Sequence, residues 1–247
     1  MNAPVTAVRL SASTMRFVVI ASFSLAVLSL ALWMERDFDR DFLLAHNRFR
    51  DDPAIVALCR ALSRFGMSAI CVVLLACFAA SFRFPAWSGV RAILLVVLFS
   101  FGAATLIGDP LKEILGRPRP AEELVGQLNA LGKHGSPSYP SGHAAKSLAF
   151  ALPFVLIFPA GIAQVRMVKF ALILIASLVC YSRIMLGAHY LSDVLAGAAL
   201  ALICVPIAMT AANAVYARGK VTPEKLNTVV KRQAAVLFAL TLYLPFL

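Results

Sequence analysis

The amino-acid sequence predicts an all-α fold: a polytopic membrane bundle of six transmembrane helices, with an interfacial helix and a short C-terminal apolar segment. Three observations predict it. Of 247 residues, 61% are hydrophobic and only 14% charged, and mean hydropathy is +0.84, far from a soluble globular composition. The apolar residues fall into six windows, each close to the ~20 residues a helix needs to cross a hydrocarbon core about 30 Å thick. No Gly/Ser-rich or Pro-rich linker and no internal repeat divides the chain, so 1–247 reads as one membrane-embedded domain.

The first window is about 16–34. It is long for a signal-peptide core and ends in Leu32, Trp33, Met34 and Glu35 with no small-residue cleavage site, so it reads as a span. Residues 35–52 are charged with apolar residues mixed in. Asp52-Pro53 then looks like a helix start, Asp as N-cap and Pro in the first turn. Ile55, Leu58, Leu62 and Phe65 share one face and Arg60 and Arg64 fall away from it, which predicts a short amphipathic helix at the membrane surface. Further spans follow at about 66–82, 91–111 and 145–160. The apolar run 169–213 would make a helix about 65 Å long at 1.5 Å per residue, so it must turn back. Gly187 is the place, giving spans 168–186 and 190–213. A polar stretch, 218–232, precedes the closing apolar segment 233–247, which is short for a span and reads as a helix lying in the interface.

The net charge is +11. Its cations lie between apolar spans rather than in a patch interleaved with aromatics, which argues against a nucleic-acid binder. They suit topology and an anionic headgroup. Arg9, Arg16, Arg83, Arg91, Arg166, Lys169 and the basic tail share one side with a single acid, Glu224. That side is expected in the cytoplasm of a bacterial inner membrane, with the 112–144 loop facing the periplasm or exterior. The five cysteines, Cys59, Cys71, Cys77, Cys180 and Cys204, have no metal-type spacing and read as small core hydrophobes.

Three polar stretches sit at span boundaries on that outer side. "KEILGRPRP", 112–120, supplies Lys112, Arg117 and Arg119, and Arg suits bidentate contact with phosphate oxygens. In "PSYPSGHAAKS", 137–147, a Pro-rich loop leads through Ser141 and Gly142 into an apolar helix. A helix N-terminus offers unpaired N–H groups to an anion, Gly142 permits close approach, and His143 stands where a proton can be passed. In "YSRIMLGAHYLSDVLAG", 181–197, His189 and Asp193 are four residues apart, so the carboxylate can fix the imidazole tautomer and leave its other nitrogen as nucleophile or base. Together these are the parts phosphoryl transfer uses: positioning, charge neutralisation and in-line groups.

Lys-x6-Arg-Pro (Lys112 to Arg119-Pro120), Pro-Ser-Gly-His (Pro140 to His143) and Ser-Arg-x5-His-x3-Asp (Ser182-Arg183, His189, Asp193) occur in this order. The set resembles the signature of the type 2 phosphatidic acid phosphatase superfamily, over about a third of the chain. The resemblance implies that His189 attacks phosphorus to form a phosphohistidine, Asp193 orients His189, and His143 protonates the leaving oxygen. It implies that Lys112, Arg119, Arg183, Ser141 and the Gly142 backbone hold the phosphate. No metal or cofactor is expected, and no obligate protein partner. The expected partners are the bilayer and a lipid phosphate or diphosphate: polyprenyl diphosphate, phosphatidylglycerol phosphate, phosphatidic acid or lipid A phosphate. Arg117 and His134 lie outside the pattern and are expected at most to touch substrate. A phosphotransferase passing the group to a second lipid would need the same motifs. A transporter or proton relay is the rival from another class, though it should carry its polar groups near the midplane rather than at one boundary.

Overall fold

The computed structural model describes residues 8–87, 89–128, 135–217 and, in the tail, 228, 231, 232, 235, 236, 238 and 239. Among these residues the regular structure is helical throughout. The helices are α1 (Ala12–Met34), α2 (Arg36–Asn47), α3 (Pro53–Arg83), α4 (Val90–Leu115), α5 (Pro120–Glu123), α6 (Gly142–Ile157), α7 (Ala163–Met185) and α8 (Leu191–Ala217). Among the described residues five helices are long and apolar enough to cross a membrane, and α6 is a shorter apolar helix of 16 residues.

Helices α4, α6 and α8 pack on one another; α1 covers α8, while α3 lies on α7 and α7 on α6. One core gathers Leu74, Leu94, Phe150, Phe154 and Leu172. A second is built from small residues, Ala145, Ala149, Ala201 and Cys204, which let α6 and α8 approach closely. All five cysteines are buried and unpaired by disulfides. On the outside, Phe17, Ile20 and Phe23 of α1 are 60%, 64% and 69% exposed, an apolar face that lipid tails cover in an integral membrane protein.

The structure differs from the expected elements in three places. The amphipathic stretch and the second span form one helix, α3, of 31 residues. Asp52 caps it through bonds from the Ala54 and Ile55 amides at 2.8 and 3.3 Å, and no proline breaks the helix beyond Pro53. The amphipathic surface helix is instead α2, within a segment whose sequence shows only mixed charge. Its buried residues, Asp39, Leu43 and Asn47, recur every four positions. Finally, α4 runs past its apolar window to Leu115 and stops at Gly116, in the left-handed conformation, so Lys112 is a helical residue. Of 233–247 only 235, 236, 238 and 239 are described, so the stretch on which the choice between an interfacial and a spanning segment turns lies outside the described residues, as does His134.

Candidate active site

A cavity of about 630 Å³ opens among α3, α4, α6 and α7. Lys112, Arg119, Gly142, His143, Arg183 and His189 all line it, so the three sequence motifs meet in one place. Each arrives by a different route. Lys112 comes from the last turn of α4, Arg119 from the loop before α5, Gly142 and His143 from the start of α6, and Arg183 from the last turn of α7. His189 comes from the turn between α7 and α8. Gly187 makes that turn possible: its φ is +67°, and a β-carbon there would stand 2.8 Å from the Leu128 side chain.

The cations are buried and held in place. Lys112 Nζ donates to the Pro137 carbonyl at 3.2 Å. Arg119 donates to the Ser136 carbonyl (2.8 Å), the Ser136 hydroxyl (3.2 Å) and the Ala188 carbonyl (3.1 Å). Arg183 donates to the Ser63 hydroxyl of α3, while its Nε is buried with no partner among the described residues. A guanidinium has five donors and no acceptor, so an unmatched donor beside a cavity is suited to an anion.

His189 is 2% exposed. Its Nδ1 lies 3.2 Å from Asp193 Oδ2 and its Nε2 lies 3.4 Å from Arg119 Nη1. Because Arg can only donate, Nε2 presents its lone pair and the proton sits on Nδ1, toward Asp193. Asp193 Oδ2 also accepts from the Tyr190 amide at 3.0 Å, which ties the start of α8 to the pair.

Ser141 caps α6: its hydroxyl accepts from the Ala144 amide at 3.5 Å, and its own amide donates to the Asp193 carbonyl at 2.8 Å. It does not line the cavity, so its place is behind the helix N-terminus rather than in the opening. Arg117 also points elsewhere than expected. It is buried 2.6 Å from Asp193 Oδ1 and 3.0 Å from Asp39 Oδ2, behind the site.

Several residues at the site carry no signal in the sequence. Arg60, Ser63, Arg64 and Met67 form a stripe of α3 along one wall, spaced i, i+3, i+4, i+7. Asp109 and Lys146, 3.7 Å apart, stand on the rim with Glu113. The i, i+4 spacing of Arg60 and Arg64 is visible in the sequence, but nothing in it says which side of α3 meets the cavity.

Two solved bacterial structures share the fold. One is a transmembrane PAP2-type phosphatidylglycerolphosphate phosphatase from Bacillus subtilis, 26% identical, with a TM-score of 0.59 over 77% of this chain and 93% of that one. The other is LpxE of Aquifex aeolicus, also 26% identical, with a TM-score of 0.51 over 69% of this chain and 93% of that one. No curated protein matches the sequence. The PAP2 superfamily profile matches residues 93–216, a stretch that contains Lys112, Arg119, His143, Arg183, His189 and Asp193, and the chain therefore belongs to the PAP2 superfamily.

Proposed function

We propose that this protein is a metal-independent lipid phosphate or diphosphate phosphatase that works through a phosphohistidine on His189. The observation that carries the reading is the paired environment of that imidazole. One nitrogen is turned to Asp193, and the other, its lone pair outward, faces a cavity walled by Lys112, Arg119 and Arg183. In the proposed reaction Nε2 attacks phosphorus, the ester P–O bond breaks, and His143 gives its proton to the departing oxygen. Water then attacks the phosphohistidine. The P–N bond breaks, phosphate leaves, and His189 and His143 return to their starting protonation. The cations and the Gly142 amide at the start of α6 neutralise the charge that builds on the phosphoryl oxygens.

The lipid tail would remain among the exposed apolar faces while the headgroup enters the cavity. The distribution of basic residues supports a cavity open to the periplasm or exterior, and the bacterial origin of the two similar structures favours a bacterial inner membrane. The test is phosphate release in detergent, with chelator present, from phosphatidic acid, phosphatidylglycerol phosphate, polyprenyl diphosphate and lipid A phosphate. Wild-type protein should hydrolyse at least one of them, and His189→Ala should lose at least about 10³-fold in kcat. Normal turnover by purified His189→Ala would sink the mechanism. Lipid-bound rather than free phosphate as product would make the protein a phosphotransferase.

A further inference from the structure

We infer that Asp39, on α2, is a positioning residue that acts through Arg117 to set the charge on Asp193 and so the basicity of His189. The inference rests on the proposal that His189 is the nucleophile. Asp39 belongs to no motif, yet it is wholly buried. Its Oδ2 lies 3.0 Å from Arg117 Nη2, and Arg117 Nη1 lies 2.6 Å from Asp193 Oδ1. Tyr190 and Trp33 close over the guanidinium, their ring centres 4.2 and 5.2 Å from its Cζ. One cation is thus shared between two carboxylates in a site nearly closed to solvent. Asp193 keeps its other oxygen for the Tyr190 amide and for His189 Nδ1, at 3.0 and 3.2 Å.

The sharing has a consequence. With Asp39 present, Arg117 is divided, and Asp193 retains negative charge to accept the hydrogen bond from His189 Nδ1–H and to stabilise positive charge on the ring during attack. With Asp39 neutral, the whole guanidinium charge falls on Asp193. The ring becomes harder to protonate and less nucleophilic. Asp39 also has a mechanical role: Ser192 donates to it from its amide (3.1 Å) and its hydroxyl, while Asn47 on the same helix donates to the Met185 carbonyl at 2.9 Å. Helix α2 therefore grips the His189 turn at both ends. Asp39→Asn also turns one acceptor into a donor and so weakens a brace, but a brace alone would leave the pH dependence of His189 in place, whereas the proposed role would move it.

The experiment measures kcat and KM on a phosphatidic acid substrate across pH for Asp39→Asn, Arg117→Gln and Ser192→Ala. Among the described residues, the ionisable groups that share the cavity or a hydrogen bond with His189 are Asp193, Arg119, Arg183, His143 and Lys112, with Arg60, Arg64, Asp109, Glu113 and Lys146 further along the wall, and none of them changes. Asp39→Asn removes negative charge, so the acid limb of kcat/KM should move to lower pH by about half a unit, with kcat down about tenfold and KM within about twofold. Arg117→Gln removes the cation, so its limb should move to higher pH. Ser192→Ala loosens the brace without altering charge and should leave the limb in place. Unmoved limbs in the first two variants, whatever happens to kcat, would overturn the inference and leave Asp39 a brace. His189→Ala, run alongside, separates the two readings. Its full activity would remove the nucleophile, whereas an inactive His189→Ala beside an unmoved Asp39→Asn limb overturns the inference alone.

Discussion

Gly197 of α8 meets Ser141 so closely that a β-carbon on residue 197 would stand 2.6 Å from the Ser141 carbonyl oxygen and 3.0 Å from the Ala145 amide. The first turn of α6, which presents Gly142 and His143 to the cavity, rests against that bare stretch of α8. The Ser141 amide reaches the Asp193 carbonyl from the same place, at 2.8 Å. Two motifs far apart in sequence are brought into register by the absence of one methyl group. Gly197→Ala should push the α6 N-terminus outward, at a cost of about 1–3 kcal/mol in overpacking. The expected result is a lower thermal midpoint and a kcat reduced about tenfold or more, since a displacement of about 1 Å in a catalytic group is enough for that. Wild-type values for both would show that α8 has room to spare.

Ser63 is the anchor of Arg183. It lies on α3, 120 residues away in sequence, and takes a hydrogen bond from the guanidinium deep inside the bundle. Hydrogen bonds to charged groups contribute about 1.5–3 kcal/mol. If Arg183 holds the phosphate as proposed, Ser63→Ala should direct it less firmly, raising KM roughly three- to tenfold with a smaller change in kcat. Steady-state kinetics on one lipid phosphate decides this. An unchanged KM would mean that Arg183 is held by its packing alone.

How much of the fold and site is legible in the sequence depends on the range of the forces involved. The spans are readable because apolar residues in long windows respond to the solvent around them, whatever their partners. Lys112, Arg119, His143, Arg183, His189 and Asp193 are readable because their order and spacing match the signature of the superfamily to which the chain belongs. Asp39 is not. It is one of six acids from Glu35 to Asp52, and only its tertiary contacts with Arg117, 78 residues on, and Ser192 set it apart. Arg60 and Arg64 leave the apolar face of their helix in any helical projection. Whether they face water, headgroups or a cavity is decided by how α3 lies on α7. A serine at a helix start can cap the helix or bind a ligand, and the sequence does not separate the two; in the structure Ser141 caps.

Tyr190 provides a test in pH. Its phenol donates to Glu123 Oε2 at 2.5 Å. Burial pushes its pKa up, and the bond to Glu123 and that residue's charge push it further. The folded value therefore lies above the unfolded ~10. Stability from this phenol is present below about pH 10 and is lost as pH rises through that region, where the unfolded chain releases the proton and the folded chain does not. Wild-type protein should lose more stability between about pH 9.5 and 11 than Tyr190→Phe, by up to about 1.4 kcal/mol per pH unit. Thermal midpoints across that range check it, and parallel curves would mean that neither burial nor Glu123 raises the phenol's pKa.

Arg60 and Arg64 carry the last prediction. Both lie on the cavity wall one helical turn apart, with Ser63, the partner of Arg183, between them. Both are exposed, so each pays little desolvation and acts over a distance that salt screens, about 10 Å at 0.1 M. Their effect should therefore fall on capture of the headgroup rather than on the chemical step. Arg60→Gln/Arg64→Gln should raise KM about five- to twentyfold at low ionic strength and leave kcat within about twofold. The same variant should show a flatter dependence of kcat/KM on salt than the wild type, because the charges that salt screens are gone. If kcat falls while KM and the salt dependence stay put, the two arginines act on the reacting phosphate itself, and the cavity's cationic machinery extends one helix further than the motifs imply.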